Sequence, residues 1–429
     1  MTRGKRLFSL VVFILFLSSL ASANGLNLNG FGARAVAMGG AFVGLADDFT
    51  AVFWNPAGLT QLKRKTFGAT GDLIVPTGTY TLEYATLGYP IPGNAVDATT
   101  VSKAYPSGLG GYFHPVTDKM ILGLGIYTPS GLGAKWEGKD FVAITGGKAY
   151  EWLSFIGVIT IAPTVAYQVS DMVSVGASLN INYGFFSISR HAGFAGTIDL
   201  GQYEEDSTGL GFGATLGVLV KPSEQFSLGV SFRTPSKVSM SGDTQIDNLA
   251  ATQPLTGVSS NTSDFDRDVT QPMWLAGGVA FKPIENLTLT ADLQYTNWDK
   301  LDELDTEYDD PAWQVFMAAT DNDKIKLDWS DKIQLRFGLE YVFDKFAVRG
   351  GYYYDPAPAP DDTFTALMPN FDFNVFTVGV GYMNNGVGFN LGFEYLSGKD
   401  RDIDPAPDNM PGMHGLKIWT VLAGLSYGF

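Results

Sequence analysis

The chain contains no cysteine and only three histidines, His114, His191 and His414, in 429 residues. The absence of cysteine excludes disulfide scaffolds, thiolate metal sites and cysteine nucleophiles. Three scattered histidines, with no H-E-x-x-H motif among them, give little basis for metal or general-base chemistry. We therefore predict that the protein is not an enzyme and that it needs neither a metal nor a cofactor.

Charged residues are also scarce, because they make up 17% of the chain where soluble domains have about 25%. The formal net charge is −16, so the surface should repel phosphate backbones, and we expect no nucleic-acid partner. An apolar content of 45% argues against intrinsic disorder. The 51 glycines and 30 phenylalanines favour a fold made of many strands and turns.

A long apolar run occurs only at the start of the chain. Residues 7–20 are apolar or uncharged, follow a basic stretch and end in an A-x-A site at residues 21–23, which predicts a cleaved signal peptide over residues 1–23. The alternative is an uncleaved anchor, although the run is shorter than the ~20 residues of a spanning helix. No later window of about 18 residues is uncharged and apolar, so the exported chain should contain no helical span.

Strict alternation of apolar and polar side chains dominates the rest of the sequence, for example over residues 173–185, 333–343 and 419–429. A period of two is the pattern of a strand with one apolar and one polar face. The polar face carries glycines, hydroxyls and the charged residues Asp292, Arg336, Glu340 and Glu394. A single strand of this kind fits either a soluble sandwich or a membrane barrel with a polar lumen.

The number and spacing of these segments favour the barrel. We count fourteen, separated alternately by connections of two or three residues and by much longer ones, as in barrels with tight periplasmic turns and long external loops. Closure leaves no unpaired strand edge in hydrocarbon. The fold class is therefore predicted to be all-β, a transmembrane antiparallel β-barrel over residues 66–429. The strands are expected to begin near Thr66, Leu109, Met120, Phe155, Val173, Ser207, Phe226, Asp268, Leu287, Ile325, Phe346, Phe373, Val387 and Gly415. Parity places His114 on the inner face of its strand, near the periplasmic turn.

The chain ends on the aromatic Phe429 of an alternating strand. This ending resembles the C-terminal signal that the outer-membrane barrel assembly machinery reads, which implies that machinery as a partner and the Gram-negative outer membrane as the location. We expect a monomer surrounded by outer-membrane lipid and lipopolysaccharide. The acidic stretches at residues 302–310 and 399–409 would bridge lipopolysaccharide through divalent ions or be solvated loops, and they lack EF-hand spacing.

Residues 24–65 do not alternate and are rich in Gly and Ala, which suits a plug inside a lumen too wide for side chains to fill. The alternative is a periplasmic cap. The run at residues 30–59, with Asn55-Pro56-Ala57 preceded by Asp47-Asp48, resembles the N-terminal hatch of the FadL/TodX-type transporters, a family of long-chain fatty-acid transporters that includes aromatic-hydrocarbon channels. The resemblance extends over the mature chain in strand count and loop rhythm.

The resemblance implies a channel for passive uptake of long-chain fatty acids or similar hydrophobic molecules. In the family, an external groove captures the ligand, an internal site holds it, and it leaves sideways where the third strand is kinked. Aromatic hydrocarbons are an alternative cargo, and a general hydrophilic porin is the alternative function. The apolar loop residues that are candidates for the groove are Phe194, Ile198, Leu200, Leu249, Leu255 and Phe265.

The internal binding site and the sideways exit also have candidate residues. Arg190, in a stretch that resembles the family's fifth strand, should face the lumen and could hold a carboxylate bidentately. Pro129, Gly131 and Gly133 should weaken pairing near the outer end of the third strand and form a lateral gate, unless Pro129 only ends the strand. Three more arginines face inward by parity and could pair with lumen carboxylates; the six residues of this set are Arg233, Arg336, Arg349, Asp292, Glu340 and Glu394.

Overall fold

The computed structural model describes residues 25–429, so the signal peptide predicted at residues 1–23 lies outside the described part of the chain. Within residues 25–429, no helix is long and apolar enough to cross a membrane.

Fourteen antiparallel strands form a closed barrel, which confirms the predicted fold class. The first and last strands close it, with pairing that runs from Thr66 opposite Gly428 to Thr81 opposite Met413. The strands are β1 (Thr66–Glu83), β2 (Tyr105–Pro115), β3 (Met120–Trp136), β4 (Trp152–Gln168), β5 (Val173–His191), β6 (Gln202–Ser223), β7 (Phe226–Arg233 and Ser236–Ile246), β8 (Thr262–Gln271 and Trp274–Ile284), β9 (Leu287–Thr296), β10 (Lys332–Phe343), β11 (Phe346–Asp355), β12 (Phe373–Asn384), β13 (Val387–Gly398) and β14 (Gly412–Gly428).

The two faces of the wall follow the predicted alternation. On β10, Leu335, Phe337 and Leu339 are 44–51% exposed on the outside, whereas Arg336 and Glu340 between them are buried inside. In a bilayer the outer face meets lipid and the inner face meets the lumen. The polar face is therefore the inner one.

The short connections are tight hairpins at one end of the barrel. Asp344, between β10 and β11, and Asn385, between β12 and β13, have φ values of 53° and 50°. Two-residue hairpins require such left-handed backbone, which Asn and Asp tolerate better than most residues. The long connections leave the opposite, external end.

The external loops have secondary structure of their own. Short strands and helices in these loops pack against one another and extend the barrel outward. They are the strands Asn94–Thr99, Phe194–Ala195, Ile198–Asp199, Glu303–Tyr308, Lys324–Lys326 and Arg401–Ile403, the α-helices Gln253–Thr256 and Pro311–Ala319, and the 3-10 turns Gly138–Phe141, Ala250–Thr252 and Trp298–Lys300.

Two sequence expectations about the strands are wrong. The tenth barrel strand starts at Lys332 rather than near Ile325, because Lys324–Lys326 pairs with the external strand Glu303–Tyr308 instead of with the wall. His114, predicted by parity to face the lumen, lies opposite the exposed Leu122 and faces outward with it. The reason is that Phe113 turns inward and packs in the hydrophobic cluster that contains the hatch.

The hatch, of which residues 25–65 are described, lies inside the barrel. It contains α1 (Ala33–Ala37), α2 (Ala51–Trp54) and the 3-10 turn Pro56–Gln61. Its backbone is hydrogen bonded to the inner wall: Val43 N donates to Asp292 Oδ2 at 2.8 Å, and Ser227 Oγ donates to Gly44 O at 2.6 Å. These contacts favour the plug over a periplasmic cap.

Glycines on the inner wall allow the hatch to approach so closely. A Cβ atom at Gly351 would lie 2.1 Å from Gly39 N, and one at Gly229 would lie 2.0 Å from Val43 O. Neither distance is possible for a real side chain, so the hatch fits only against bare backbone. The same holds, with a hatch atom within 3.0 Å of the added Cβ, at Gly176, Gly217, Gly278 and Gly338.

Candidate functional site

The Asn55-Pro56-Ala57 motif is the point at which the hatch turns and meets the wall. The Asn55 side chain is fully buried and caps the 3-10 turn by accepting a hydrogen bond from Ala57 N at 3.2 Å. Its amide nitrogen donates to Val43 O within the hatch and to Val218 O on β6, at 3.1 and 3.0 Å. Only an amide supplies an acceptor and two donors here.

The acidic pair Asp47-Asp48 holds an arginine of the hatch. Arg34 forms ion pairs with Asp47 and, at 3.6 Å, with Asp48, and it also contacts the wall residue Glu340 at 2.8 Å. Glu340 in turn accepts a hydrogen bond from Arg349 Nε at 2.6 Å. Glu340 is thus shared by one hatch arginine and one wall arginine, and this network fastens the hatch to β10 and β11.

The remaining predicted lumen charges contact uncharged groups. Arg336 donates to Asn29 O at 3.0 Å and Gly39 O at 3.3 Å, as well as to the Gln334 side chain. Glu394 accepts from the hydroxyl of Tyr353 at 2.7 Å. Of the predicted pairings, Arg349 with Glu340 is present in the described residues, whereas Arg336 hydrogen bonds to the hatch backbone.

Arg233 has the least compensated environment of the four arginines. Its guanidinium lies over the rings of Phe53 and Trp274, at 4.6 and 5.1 Å, and donates to Phe53 O at 3.2 Å. The buried Nε atom of Arg233 has no hydrogen-bond partner among residues 25–429. The Arg233 side chain also forms no ion pair with a carboxylate of the described residues. It therefore does not match the pairing that the sequence suggested.

The wall pairing is interrupted beside Pro129. The ladder between β2 and β3 ends where Leu109 lies opposite Tyr127, and the register between β3 and β4 shifts between Tyr127 and Ser130. Beyond that point the start of the hatch takes the place of a strand: Leu28 N donates to Pro129 O at 3.0 Å, and Gly131 N donates to Leu26 O at 2.8 Å.

An apolar pocket of about 470 Å³, open at its mouth, lies on the outer side of this interruption. Gly133 and Trp136 of β3 line it, together with Tyr105 at the start of β2 and Phe371 of an external loop. The predicted residues Pro129, Gly131 and Gly133 therefore lie along one break in the wall.

A larger pocket of about 810 Å³ lies under the external loops and contains Arg190. Arg190 donates to His191 O at 3.2 Å and Asn322 Oδ1 at 3.0 Å, and its guanidinium stacks 4.6 Å from the ring of Tyr203. The pocket's other cations are paired with carboxylates: Arg267 with Glu205, Lys324 with Glu303, and Lys326 with Asp321 and Asp408. Within the described chain, Arg190 is the cation of this pocket whose contacts are all neutral.

The six residues predicted for the external groove divide into two groups. Phe194, Ile198 and Leu255 are 49%, 39% and 69% exposed. The other three are 0–3% exposed and form part of the hydrophobic cluster beneath the loops: Leu200, Leu249 and Phe265. Only the exposed residues Phe194, Ile198 and Leu255 can therefore contact a ligand from outside, because the loops cover the other three.

Two buried groups of the outer region were missed in the sequence. Arg267 and Glu205 form an ion pair at 2.6 Å with both side chains at most 2% exposed, and Arg267 also bonds to Thr306. The alternation of Phe265, Arg267 and Val269 in β8 was the available signal. The partner on β6 could not be found without the register of the strands.

A polar cluster joins the loop after β3 to the loop after β5. Asp199 accepts hydrogen bonds from Tyr150 and, at 2.9 Å, from His191 Nε2, and it pairs with Lys148 at 3.0 Å. Partial burial alone would raise the pKa of Asp199, but the hydrogen bonds from Tyr150, His191 and Lys148 lower that pKa below its ordinary value. The cluster holds two loops together at the external end.

The G-x-S-x-G string at residues 424–428 lies within β14, with Ser426 opposite Gly388 in the ladder, and so forms no strand-turn-helix elbow. Within residues 25–429, no group of three or more His, Asp or Glu side chains is placed to hold a metal ion.

Comparison with known proteins agrees with this architecture. Residues 14–418 match the family described as outer membrane protein transport protein (OMPP1/FadL/TodX). Outer membrane protein P1 of Haemophilus influenzae is 25% identical over 90% of each chain, and the long-chain fatty acid transport protein of Escherichia coli O6:H1 is 23% identical over 91% of each.

Solved structures of similar fold include a Pseudomonas aeruginosa FadL homologue and the Pseudomonas putida toluene transporter TodX. The first has a TM-score of 0.76 at 17% identity and the second a TM-score of 0.70 at 17% identity. The alignments cover 94% of this chain and 100% and 99% of those chains. The chain is therefore an outer-membrane transport protein of the OMPP1/FadL/TodX family and not an enzyme.

Proposed function

We propose that the protein is a channel for the passive uptake of long-chain fatty acids across the outer membrane. The observation that carries the proposal is the 810 Å³ pocket under the external loops, in which the guanidinium of Arg190 has only neutral partners. A carboxylate placed there gains charge-assisted hydrogen bonds without breaking an ion pair. Relatives named as long-chain fatty acid transport proteins support the same cargo.

The proposed route has three steps. The exposed side chains Phe194, Ile198 and Leu255 capture the chain at the outside, Arg190 holds its head group, and the molecule leaves sideways at the interruption beside Pro129. Lateral exit keeps the chain out of water. At ~0.8 kcal/mol per methylene, a sixteen-carbon chain would lose about 12 kcal/mol on entering an aqueous pore.

Uptake by cells with and without the protein tests the proposal. Arg190→Ala removes charge-assisted hydrogen bonds of about 1.5–3 kcal/mol, so we expect oleate uptake at limiting concentration to fall roughly tenfold to a hundredfold. Toluene uptake should not change. The matched control is Arg64→Ala, at an exposed arginine just before β1.

The outcomes separate the alternatives. If both uptakes survive Arg190→Ala unchanged, the head-group role of Arg190 is wrong. If toluene but not oleate enters cells through the unaltered protein, the channel carries aromatic hydrocarbons, the cargo for which the toluene transporter TodX is named. Conductance that depends on the size of hydrophilic solutes in planar bilayers would instead indicate a general porin.

A further inference from the structure

Arg233 lies in a third pocket, well separated from the one that contains Arg190. On β6, Tyr203 is opposite Arg190 and Thr215 is opposite Arg233. At ~3.3 Å per residue, the twelve steps from Tyr203 to Thr215 correspond to about 40 Å along the strand, toward the periplasmic end. The two arginines cannot therefore hold the same head group.

The charged residues that line this third pocket are all positive. Arg233 and Arg336 both line it, and none of its lining residues is Asp or Glu. Arg336 is already bonded to the hatch backbone and to Gln334, but Arg233 has a buried Nε without a partner in the described chain. A buried cation without a counter-charge is costly, so the pocket is suited to an anion.

Two further unpartnered donors lie at the interruption in the wall, near Tyr127 and Ser130. The hydroxyl of Tyr127 has no hydrogen-bond partner among the described residues, and the Tyr127 ring contacts Phe53, the residue over which the guanidinium of Arg233 stacks. The amide nitrogen of Gln271 is also unpartnered, while its oxygen accepts from Ser130 at the break in β3. Tyr127 and Gln271 therefore each leave a donor unpaired at the break in β3. The pocket next to that break is lined by Pro129 and Arg233 and by no carboxylate of the described residues.

We propose that Arg233 is a second carboxylate-binding site, which receives the head group of an acidic amphiphile below the outer pocket and beside the interruption in the wall. This inference rests on the proposed function and narrows it, because a cation in this position favours acids over hydrocarbons. The aromatic faces of Phe53 and Trp274 hold the guanidinium in place without neutralising it.

Hexadecanoate labelled with ¹³C at its carboxyl carbon tests the site on the purified full-length protein in detergent micelles. We expect two protein-bound carboxyl resonances. Arg190→Ala should remove one and Arg233→Gln the other, while Arg64→Gln should remove neither. Excess acetate should displace neither resonance; if acetate alone empties the Arg233 site, that site binds small anions and the assignment to an amphiphile is wrong.

The failure of this inference differs from the failure of the proposed function. A single bound resonance that is lost only with Arg190→Ala overturns the Arg233 site and leaves the fatty-acid channel intact. No bound resonance at all overturns both. If Arg233→Gln does not fold, as judged by heat-modifiable gel mobility, Tyr127→Phe must shift or weaken the second resonance, and an unchanged resonance refutes the site.

Discussion

The contact between Gly351 of β11 and Gly39 of the hatch predicts that a single methyl group on the inner wall will dislodge the hatch. In Gly351→Ala the new Cβ would lie 2.1 Å from Gly39 N, whereas ordinary contact begins at 3.4 Å, so the backbone must move by about 3.4 − 2.1 = 1.3 Å. Gly39 N also donates to Thr377 Oγ1 at 3.0 Å, and Thr377 Oγ1 donates to Ala37 O at 3.0 Å.

A movement of that size costs both packing and hydrogen bonds. Overpacking typically costs about 1–3 kcal/mol, and each of the two lost hydrogen bonds about 0.5–1.5 kcal/mol, so we expect the hatch to lose about 2–6 kcal/mol of local stability. The smaller value corresponds to about thirtyfold faster amide exchange in this segment. Hydrogen exchange followed by mass spectrometry over residues 33–45 measures it directly.

The neighbouring glycine supplies the control. A Cβ at Gly350, on the outer face, would meet its nearest atoms at 3.9 and 4.0 Å, which is ordinary contact. Gly350→Ala should therefore leave exchange in the hatch unchanged. Equal exchange in the two variants would refute the reasoning that bare backbone on the inner wall admits the hatch.

Three other changes test the contacts that hold the hatch and the loops. Asn55→Asp loses the donor to two buried carbonyls, so we expect a loss of about 2–5 kcal/mol, seen as a lower urea midpoint for hatch release, which Asn55→Gln should partly restore. Glu340→Gln leaves Arg34 and Arg349 without their shared carboxylate, at a cost of about 3–5 kcal/mol, and should raise conductance in planar bilayers; an unchanged conductance, equal to that of Asp118→Asn in a periplasmic turn, would contradict this. Asp199→Asn should speed trypsin cleavage after Lys148. Because its folded pKa is lowered, the contribution of Asp199 is present above the ordinary Asp pKa of about 3.9 and is lost as pH falls through the folded value, so loop protection should persist at about pH 5.

The strand faces were predictable from the sequence because they depend on a local period of two. Leu335, Phe337 and Leu339 face lipid and Arg336 faces the lumen, as the alternation requires. The same rule failed at His114, where β2 places apolar side chains on its inner face as well. Parity shows which residues share a face of a strand. It does not show which face is inside where the hatch packs against the wall, because apolar side chains are then buried on the inner face as well.

The partners of the charged residues were much less predictable. Arg233, Arg336 and Arg349 have the same inward parity, yet of the three only Arg349 pairs with a carboxylate among the described residues. Arg336 instead hydrogen bonds to the hatch backbone, and Arg233 stacks on aromatic rings. The partners in the hatch are far away in the chain: Phe53 is 180 residues from Arg233, and Asn29 is 307 residues from Arg336. The packing of the loops was unpredictable for the same reason, since Leu200 and Leu249 join one hydrophobic cluster only after the strands that flank their loops are paired.

The start of the hatch gives the proposed lateral route an energetic basis. At the break in β3, two backbone hydrogen bonds, Leu28 N to Pro129 O and Gly131 N to Leu26 O, replace the ladder that β2 no longer supplies. Releasing them into a hydrated lumen costs about 1–3 kcal/mol, whereas moving a sixteen-carbon chain into water costs about 12 kcal/mol. The free energy needed to release the hatch from this opening is therefore much smaller than the free energy of hydrating the acyl chain. The opening lies beside Arg233, so the proposed deeper head-group site is next to the point at which the acyl chain would enter the bilayer.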